Sequence, residues 1–339
     1  MQKPELPLAT NALERTLATM NHDVIAIGGS AGAVEVLLDL VPKLPADLGA
    51  SIFVVLHTPA SLPSPLPELL SKRGPFPAKH PLHGEKIERG HIYVAPPDTQ
   101  LLLRQGSMEV VRGPKENGHR PAADALFRSA SWAYSSRVIG VVLSGYQDCG
   151  TAGMMSIRAR GGVTVVQNPG DALVAEMPRN VLASLPVDYA VDAAELPALL
   201  PRLVQAPAGR QSAPDDFVKQ LEGAHLGASA DLGCPICQGV LTEAHSGAFQ
   251  QFRCHVGHTF SLDSLVREQS EELERALWAS VRALEESGKL SQRLSHQEPG
   301  ELGRRFAEKS VTQRQHADRI RQILLHGGML STTDSEHLT

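Results

Sequence analysis

The chain has 339 residues, of which 42% are hydrophobic, 20% charged and 4% aromatic. This length allows one large core and a smaller module, and the hydrophobic share is ordinary for a soluble globular protein. The formal net charge of −5 at pH 7 and the few aromatic side chains argue against a nucleic-acid-binding protein.

The N-terminal segment, residues 1–22, is typical of a leader or a short helix. It lacks the continuous apolar core and the small-residue cleavage site of a secretory signal. The chain also contains no apolar run of about 18 residues, so we expect no membrane insertion. The sequence therefore predicts a cytoplasmic protein, and such a compartment keeps cysteine thiols reduced.

Residues 23–204 alternate between short apolar runs and helical stretches. The apolar runs include VIAIGG, SIFVVLH, RVIGVVLSG and GGVTVVQN, and the helical stretches include GAVEVLLDLVPKL and AADALFRSASWAYSS. Apolar runs without strict alternation indicate strands buried on both faces, and helices between them indicate parallel crossovers. The pattern predicts an α/β fold with a doubly wound, mostly parallel sheet, in which ligands bind at the carboxyl ends of the strands.

The first predicted strand runs into a glycine cluster, IGGSAGA at residues 27–33, with Ser30 at its centre. A nucleotide-binding turn is disfavoured, because the G-x-G-x-x-G spacing is broken and no acidic residue follows at a strand end near position 50. Two interpretations stay open. Either Ser30 caps the helix that follows, or it is a nucleophile with helix N–H groups nearby to hold a developing oxyanion.

A serine nucleophile needs a base, and His57 ends the next buried strand. A lone histidine at a strand end is more often structural than catalytic. Ser30 and His57 at the same edge of adjacent parallel strands nevertheless make a better than random pair. The third partner should be a carboxylate that orients the imidazole, and the loop SGYQDCGTAG after a later strand offers Asp148.

Six ordered motifs carry a family resemblance over residues 23–204. They are IGGSAGA, VVLHTPA, HIYVAPPD, GHRPAADALFRS, VVLSGYQDCGTAGM and QNPGDALVAEMPRNV. Together they resemble the catalytic domain of CheB-type protein-glutamate methylesterases. The resemblance implies a hydrolase of chemotaxis-type signalling, in which a serine, a histidine and an aspartate demethylate glutamyl methyl esters on methyl-accepting chemoreceptors. It assigns Ser30 as the nucleophile and His57 as the base.

Typical members of that family carry a phospho-acceptor receiver domain ahead of the catalytic domain. The segment before the first predicted strand, residues 1–22, is too short to form one. We therefore expect no regulation by phosphorylation of such a domain within these residues.

The third catalytic position departs from the family. The family loop, L-[ST]-G-x-G-x-D-G-x-x-G, places Cys149 where the aspartate stands, puts Asp148 one residue early and replaces a glycine by Gln147. A neutral thiol cannot do the work of a carboxylate. Three outcomes stay open: Asp148 reaches His57 after a small loop shift, the site works as a Ser–His dyad, or the domain is a weak or inactive signalling scaffold that binds a partner. Asp148 is the candidate that we carry forward.

A cluster of cysteine and histidine lies within residues 231–262, where CPIC and FRCHVGH give the spacing C-x₂-C-x₁₆-C-x₃-H. Zn²⁺ takes four tetrahedral ligands of these types, so the spacing predicts a structural zinc site on a ribbon-like module. The predicted ligands are Cys234, Cys237, Cys254 and His258. A set of buried free thiols is the alternative, and His255 is an alternative fourth ligand with poorer geometry.

The remaining segments flank this module. Residues 205–230 are rich in Ala, Pro, Gly and Ser and are predicted to be a linker. Residues 263–327 are predicted to form a helical hairpin broken at HQEPG, because apolar residues three, four or seven apart line one face. Residues 328–339 are predicted to be a disordered tail. Partner binding or homodimerisation through the hairpin is our hypothesis for the extension.

Overall fold

The computed structural model describes residues 20–58, 63–209, 212–222, 227–246 and 249–326. These residues form two compact units. One unit comprises the chain up to Cys234 together with Gly239–Ser264, and the other comprises Pro235–Gln238 and the chain from Leu265 onward. Most of the predicted leader and the whole predicted tail lie outside the described residues.

The first unit is built on a parallel sheet of seven strands. Their bounds are β1 (Val24–Gly29), β2 (Ser51–Leu56), β3 (Ala78–Lys79), β4 (Ile92–Val94), β7 (Val138–Val142), β8 (Val163–Gln167) and β9 (Tyr189–Val191). Their order across the sheet is β3-β4-β2-β1-β7-β8-β9, and every neighbouring pair is parallel. The order changes direction between β1 and β7, which is where sheets of this class open a ligand crevice.

Helices cover both faces of this sheet. Their bounds are α1 (Ala33–Leu40), α2 (Leu66–Arg73), α3 (Ala123–Tyr134), α4 (Thr151–Ala159), α5 (Glu176–Ser184) and α6 (Leu196–Gln205). Within β1, Ile25 and Ile27 pack on the face covered by α1, α2 and α6, whereas Val24 and Ala26 pack on the face covered by α3, α4 and α5. Because alternate side chains of one strand enter two cores, the strand is apolar throughout. The predicted doubly wound α/β sheet is confirmed.

Two antiparallel sheets complete the first unit. The hairpin of β5 (Gln100–Arg104) and β6 (Ser107–Val111) packs beside α3, where the Leu103 N–H donates to Ser129 Oγ at 3.0 Å. The C-terminal sheet has the order β10-β11-β12-β13. Its strands are β10 (Ala228–Gly233), β11 (Val240–Ser246), β12 (Phe249–Cys254) and β13 (Thr259–Ser261). We call residues 227–261 of this sheet the ribbon.

The predicted linker differs from a continuous coil. It contains α7 (Asp216–Glu222), and β10 begins at Ala228. The Asp215 carboxylate accepts a hydrogen bond from the Val218 N–H at 2.8 Å, so a side chain satisfies one of the free donors of the first helical turn. Glu222, at the end of α7, pairs with Arg160. The amino-acid composition of the segment does not predict these two contacts.

The second unit is a helical hairpin. Its helices are α8 (Leu262–Gln297), whose first three residues belong to the first unit, and α9 (Glu301–His326), which follows the break predicted at HQEPG. The hairpin closes through small residues, since the Ser310 hydroxyl donates to the Gly288 carbonyl at 2.9 Å. The predicted hairpin is confirmed. Over the part of the chain that the structure covers, no helix combines the length and the apolar character needed to cross a membrane.

Candidate active site

Ser30 and His57 follow neighbouring strands at the carboxyl edge of the parallel sheet. Gly29 pairs with Leu56 in the β1–β2 register, and the His57 N–H donates to the Gly29 carbonyl at 3.3 Å. Both Ser30 and His57 are half-buried. Helix α1 is capped by Gly32 at φ 84°, and no side chain caps it. The helix-capping interpretation of Ser30 is therefore wrong.

The loop after β7 lies directly against Ser30. The Ser30 N–H donates to the Ser144 carbonyl at 2.9 Å, and the Ser144 hydroxyl donates to the Ala31 carbonyl at 2.6 Å. A Cβ at Gly145 would lie 2.8 Å from the Ser30 Cβ and 2.2 Å from the buried sulfur of Met177. Only glycine fits there, so position 145 sets how closely the loop approaches the candidate nucleophile.

Gly145→Ala should therefore displace Ser30. Overpacking of this kind costs about 1–3 kcal/mol of stability, and a shift of about 1 Å at a reacting group costs about 100-fold in rate. We expect a protein that still folds, as measured by thermal unfolding, and in which any reaction at Ser30 is at least about tenfold slower. Gly209→Ala is the matched control, since its added Cβ meets nothing nearer than 3.8 Å. Equal rates for the two variants would contradict the proposed close fit.

His119 is a residue of the site that the sequence did not single out. Its ring stacks on the His57 ring with centroids 3.6 Å apart and planes 9° from parallel. His119 Nε2 lies 3.3 Å from Gln147 Oε1. The Gln147 N–H donates to Glu176 Oε2 at 2.7 Å, and its carbonyl accepts from Asn180 Nδ2 at 2.8 Å. The only signal in the sequence was its place in the motif GHRPAADALFRS.

Asp148 lies in the same loop and is buried, with 8% of its surface exposed. Burial is the main reason why the pKa of Asp148 rises to about 7. The Ser261 hydroxyl opposes this rise, and repulsion by Asp124 and Asp263 adds to it. One carboxylate oxygen, Oδ1, is buried and has no hydrogen-bond partner among the described residues. The structure thus places Asp148 beside Ser261 of β13, and its support of His57 stays a prediction.

Cys149 is fully buried within the core that packs under α3. Its sulfur accepts a hydrogen bond from the Ala123 N–H at 3.3 Å. Burial, and then the charge of Asp124, raises the pKa of the Cys149 thiol well above its ordinary range. The thiol is neutral at physiological pH, so it supplies neither a thiolate nucleophile nor the negative charge of an aspartate.

The raised pKa of Asp148 should make the stability of the folded protein depend on pH. Between the ordinary aspartate pKa near 4 and about 7, the native carboxyl holds a proton that the unfolded chain has released. Its contribution to stability is therefore fully present below the unfolded pKa and is lost as pH rises through about 7. Asparagine cannot ionise, so Asp148→Asn should be more stable than wild type at alkaline pH. We expect this advantage to be about 1–3 kcal/mol larger at about pH 8 than at about pH 5.

Urea unfolding of both proteins at the two pH values measures this difference. Asp39→Asn is the control, because the Asp39 side chain is 74% exposed and contacts Lys43 at the surface. If the difference in unfolding free energy between wild type and Asp148→Asn does not change with pH, the pKa of Asp148 is not raised in the folded protein.

The cysteine and histidine cluster gathers on the ribbon and the turn beside it. The ligand atoms all lie within 4.8 Å of one another, and they belong to Cys234, Cys237, Cys254 and His258. The Cys254 N–H donates to the His258 carbonyl at 3.1 Å, which closes the turn that brings these two side chains together. Burial lowers the pKa of His258, which keeps its imidazole in the neutral form that metals bind. His255 is exposed and stands outside the group.

Comparison with known proteins finds relatives for about half of the chain. A family model described as CheB methylesterase matches residues 25–200. A provisionally named protein-glutamate methylesterase/protein-glutamine glutaminase of Leptospira interrogans is 35% identical over 187 residues, which cover 55% of this chain and 97% of that protein. A protein of the same activity name from Geobacter metallireducens is 33% identical over 192 residues, which cover 56% of this chain and 53% of that protein.

A solved structure matches the same region. The crystal structure of the Thermotoga maritima CheB methylesterase catalytic domain is 29% identical, with a TM-score of 0.52. The match covers 55% of this chain and 100% of that domain. The resemblance predicted from the six motifs is therefore confirmed over the parallel-sheet domain, and the ribbon and the helical hairpin lie outside the matched family model.

Proposed function

Because the chain belongs to the CheB methylesterase family, we propose that it hydrolyses methyl esters of glutamate side chains on a methyl-accepting chemoreceptor or a related signalling protein. The observation that carries the proposal is the position of Ser30 and His57. Both residues follow paired strand ends, Gly29 and Leu56, at the carboxyl rim of the sheet, and Ser30 follows β1, which borders the point where the strand order changes direction. A serine hydroxyl and an imidazole at the same edge can supply the nucleophile and the general base that ester hydrolysis needs.

The chemistry divides into two steps. Ser30 Oγ attacks the ester carbonyl while His57 takes the hydroxyl proton, and collapse of the tetrahedral intermediate expels methoxide, which leaves as methanol with that proton. The acyl-enzyme is then attacked by water, with His57 again as the base. The products are a glutamate side chain and the free serine.

Asp148 is our proposed third member of the site. It follows Gln147, whose side chain contacts His119, and His119 stacks on His57. When Asp148 is ionised, its charge lies in surroundings of low dielectric, where it stabilises the imidazolium formed during attack more strongly than it would in water. Because its pKa is about 7, this support is gained as pH rises through that value.

Methanol release from methylated receptor fragments tests the proposal. We expect Ser30→Ala to reduce the rate by at least about 1,000-fold, since the nucleophile is lost. Because Asp148 must be deprotonated to support His57, the kcat of wild type should rise more steeply with pH through about 7 than that of Asp148→Asn. Equal background release from wild type and Ser30→Ala would refute the esterase proposal.

A scaffold without activity is the second candidate, and Cys149 at the family's aspartate position favours it. The charge of a triad aspartate is worth about 10⁴ in turnover, so its loss leaves little catalysis. A scaffold would still bind the methylated fragments. Equal affinity of wild type and Ser30→Ala, measured by titration calorimetry and accompanied by no methanol, would establish this candidate.

A structural zinc ion completes the proposal. Cys234, Cys237, Cys254 and His258 would supply three thiolates and a neutral imidazole to a zinc ion, the donor set of a closed structural site. A reducing compartment, the cytoplasm that the sequence predicts, keeps these thiols able to bind metal. The ion would hold the ribbon together and would take no part in ester hydrolysis.

For the helical hairpin we propose self-association. Helix α8 exposes Val266 (51%), Leu273 (52%) and Trp278 (41%), and the first two lie one heptad apart. We expect a homodimer by light scattering and a monomer for Leu273→Glu, because a charge on this stripe opposes burial. A wild-type mass equal to that of one chain at tens of micromolar protein would contradict the proposal.

A further inference from the structure

A two-residue turn joins the ribbon to the candidate active site. Glu116 and His119 exchange backbone hydrogen bonds of 3.1 and 2.9 Å, and Asn117 (φ 51°) and Gly118 (φ 77°) form the turn between them. Asn-Gly with two positive φ angles is the signature of a rigid type I′ turn. A displacement of Asn117 is therefore transmitted to His119.

The backbone of this turn is hydrogen-bonded to the ribbon. The Asn117 N–H donates to the Thr259 carbonyl at 2.7 Å, and the Thr259 N–H donates to the Lys115 carbonyl at 3.3 Å. These bonds flank an isolated parallel bridge between Glu116 and Thr259 at the edge of β13. An edge strand of the ribbon is thereby covered by a loop of the catalytic domain.

The Asn117 side chain makes the same connection. Asn117 is 3% exposed, and its Oδ1 accepts hydrogen bonds from the Ser261 N–H at 2.9 Å and from the Ser264 hydroxyl at 3.0 Å. Its Nδ2 donates to Asp124 of α3 at 3.1 Å. One buried amide therefore bonds the ribbon on one side and the catalytic domain on the other, where an unmatched polar group would be costly.

The far end of the turn reaches the base. His119 stacks on His57 at 3.6 Å, and its Nε2 lies 3.3 Å from Gln147 Oε1. The face of an imidazole restricts its stacked neighbour to rotation within one plane. The position of His119 thus decides which way the His57 ring points at the rim of the sheet.

At the ribbon end, the metal ligands precede the docking residue. Cys254 and His258 close their turn immediately before Thr259, with the Cys254 sulfur 3.5 Å from His258 Nδ1. The ribbon buries Leu241, Phe252 and Phe260, but at about 35 residues its core is small, so a bound ion would add substantially to its stability. Loss of the ion would release Thr259 from its position.

We propose that the metal-binding ribbon holds the base of the active site in position, through Asn117 and the stacked His119, so that metal loading sets the rate of ester hydrolysis. Asn117 is a positioning residue in this arrangement, and the inference rests on the proposed function of Ser30 and His57. The ribbon lies outside the family match of residues 25–200, so this dependence would belong to chains that carry it.

Asn117→Gly is the first test, because glycine keeps the positive φ of the turn and removes only the side-chain bonds. We expect kcat to fall about tenfold with KM changed by less than about twofold, and labelling of Ser30 by a fluorophosphonate to slow equally. Asn21→Gly makes the same substitution at an exposed residue ahead of β1 and should change neither quantity. Unchanged kcat and labelling in Asn117→Gly would overturn the proposal.

Zinc removal from the full chain is the second test, read by hydrogen exchange as well as by activity. We expect exchange at the amides of residues 115–119 to accelerate at least tenfold when zinc is chelated and to return when zinc is restored, with the β1 amides unchanged. Hydrogen exchange needs no substrate, so it tests the link between the metal site and residues 115–119 even if the chain has no esterase activity. Failure of this link and failure of the esterase proposal can therefore be told apart. Equal exchange with and without zinc would overturn the proposed link.

Discussion

Replacing Cys149 by aspartate should raise the rate of methyl ester hydrolysis by about 10- to 1,000-fold at mildly alkaline pH. Aspartate stands at this position in the family pattern, and its charge would stabilise the imidazolium that forms in the proposed attack by Ser30. The neutral, buried Cys149 thiol supplies no such charge. The gain should appear in kcat, because the new charge interacts with the transition state and not with the bound ester.

The surroundings of Cys149 decide how the gain depends on pH. The Ala123 N–H that now donates to the sulfur would donate to the new carboxylate. Asp124 and Asp148 lie nearby, however, and their charges already act on the thiol. A third buried carboxylate ionises late, so the advantage over wild type should grow as pH rises above about 7.

Cys149→Asn is the matched control, since asparagine has nearly the same shape and no charge. The rates of wild type, Cys149→Asn and Cys149→Asp are compared with methylated receptor fragments over a range of pH. Ser30→Ala in the Cys149→Asp background establishes that the gained activity uses the same nucleophile. Equal rates for Cys149→Asn and Cys149→Asp would mean that position 149 has no electrostatic access to His57.

The parallel-sheet domain could be predicted because its determinants are local. Runs of β-branched residues define β1, β2, β7 and β8, and crossover helices dictate that these strands are parallel. Parallel strands in turn place Ser30 and His57 at one edge, and the backbone bond from His57 to Gly29 agrees with that expectation. Pattern and topology were sufficient for these two residues.

The rest of the site depends on contacts that no local pattern encodes. Asn117 and Ser261 are 144 positions apart, and their hydrogen bond follows from docking of the ribbon onto a loop. The stack of His119 on His57 arises in the same way. An Asn-Gly pair predicts a tight turn from sequence. It does not predict that the turn lies between the ribbon and His57.

Asp148 illustrates a limit of a different kind. Its loop places it one residue from the family's catalytic position, which the sequence shows directly. Its burial beside Asp124 and Ser261, and the resulting pKa near 7, come from packing of the first unit. The Asp148 carboxyl, which the sequence suggests as a charged partner, is therefore partly protonated at neutral pH. The support of His57 that we propose for it would depend on pH.

Cys254→Ser should abolish metal binding and unfold the ribbon while leaving the parallel sheet intact. Apparent binding free energies of structural zinc sites are about 10–16 kcal/mol, which exceeds the stability of a module this small. We expect about one zinc ion per chain in wild type and less than about a tenth of that in the variant, measured by elemental analysis. Exchange at the amides of Cys254 and Gly257, which lie in the turn that the ion would close, should become fast.

The fourth cysteine provides the control for this experiment. Cys149 stands outside the ligand group, so Cys149→Ala removes a thiol without touching the proposed metal site. It should keep its zinc and the slow exchange of the ribbon, whereas Cys254→Ser should lose both. If both variants retained zinc, three ligands would suffice and the site would not be the closed four-ligand centre that its donors imply. If wild type purified without chelator held no zinc, the ribbon would owe its stability to packing alone, and its hold on the turn at Asn117 would not depend on metal.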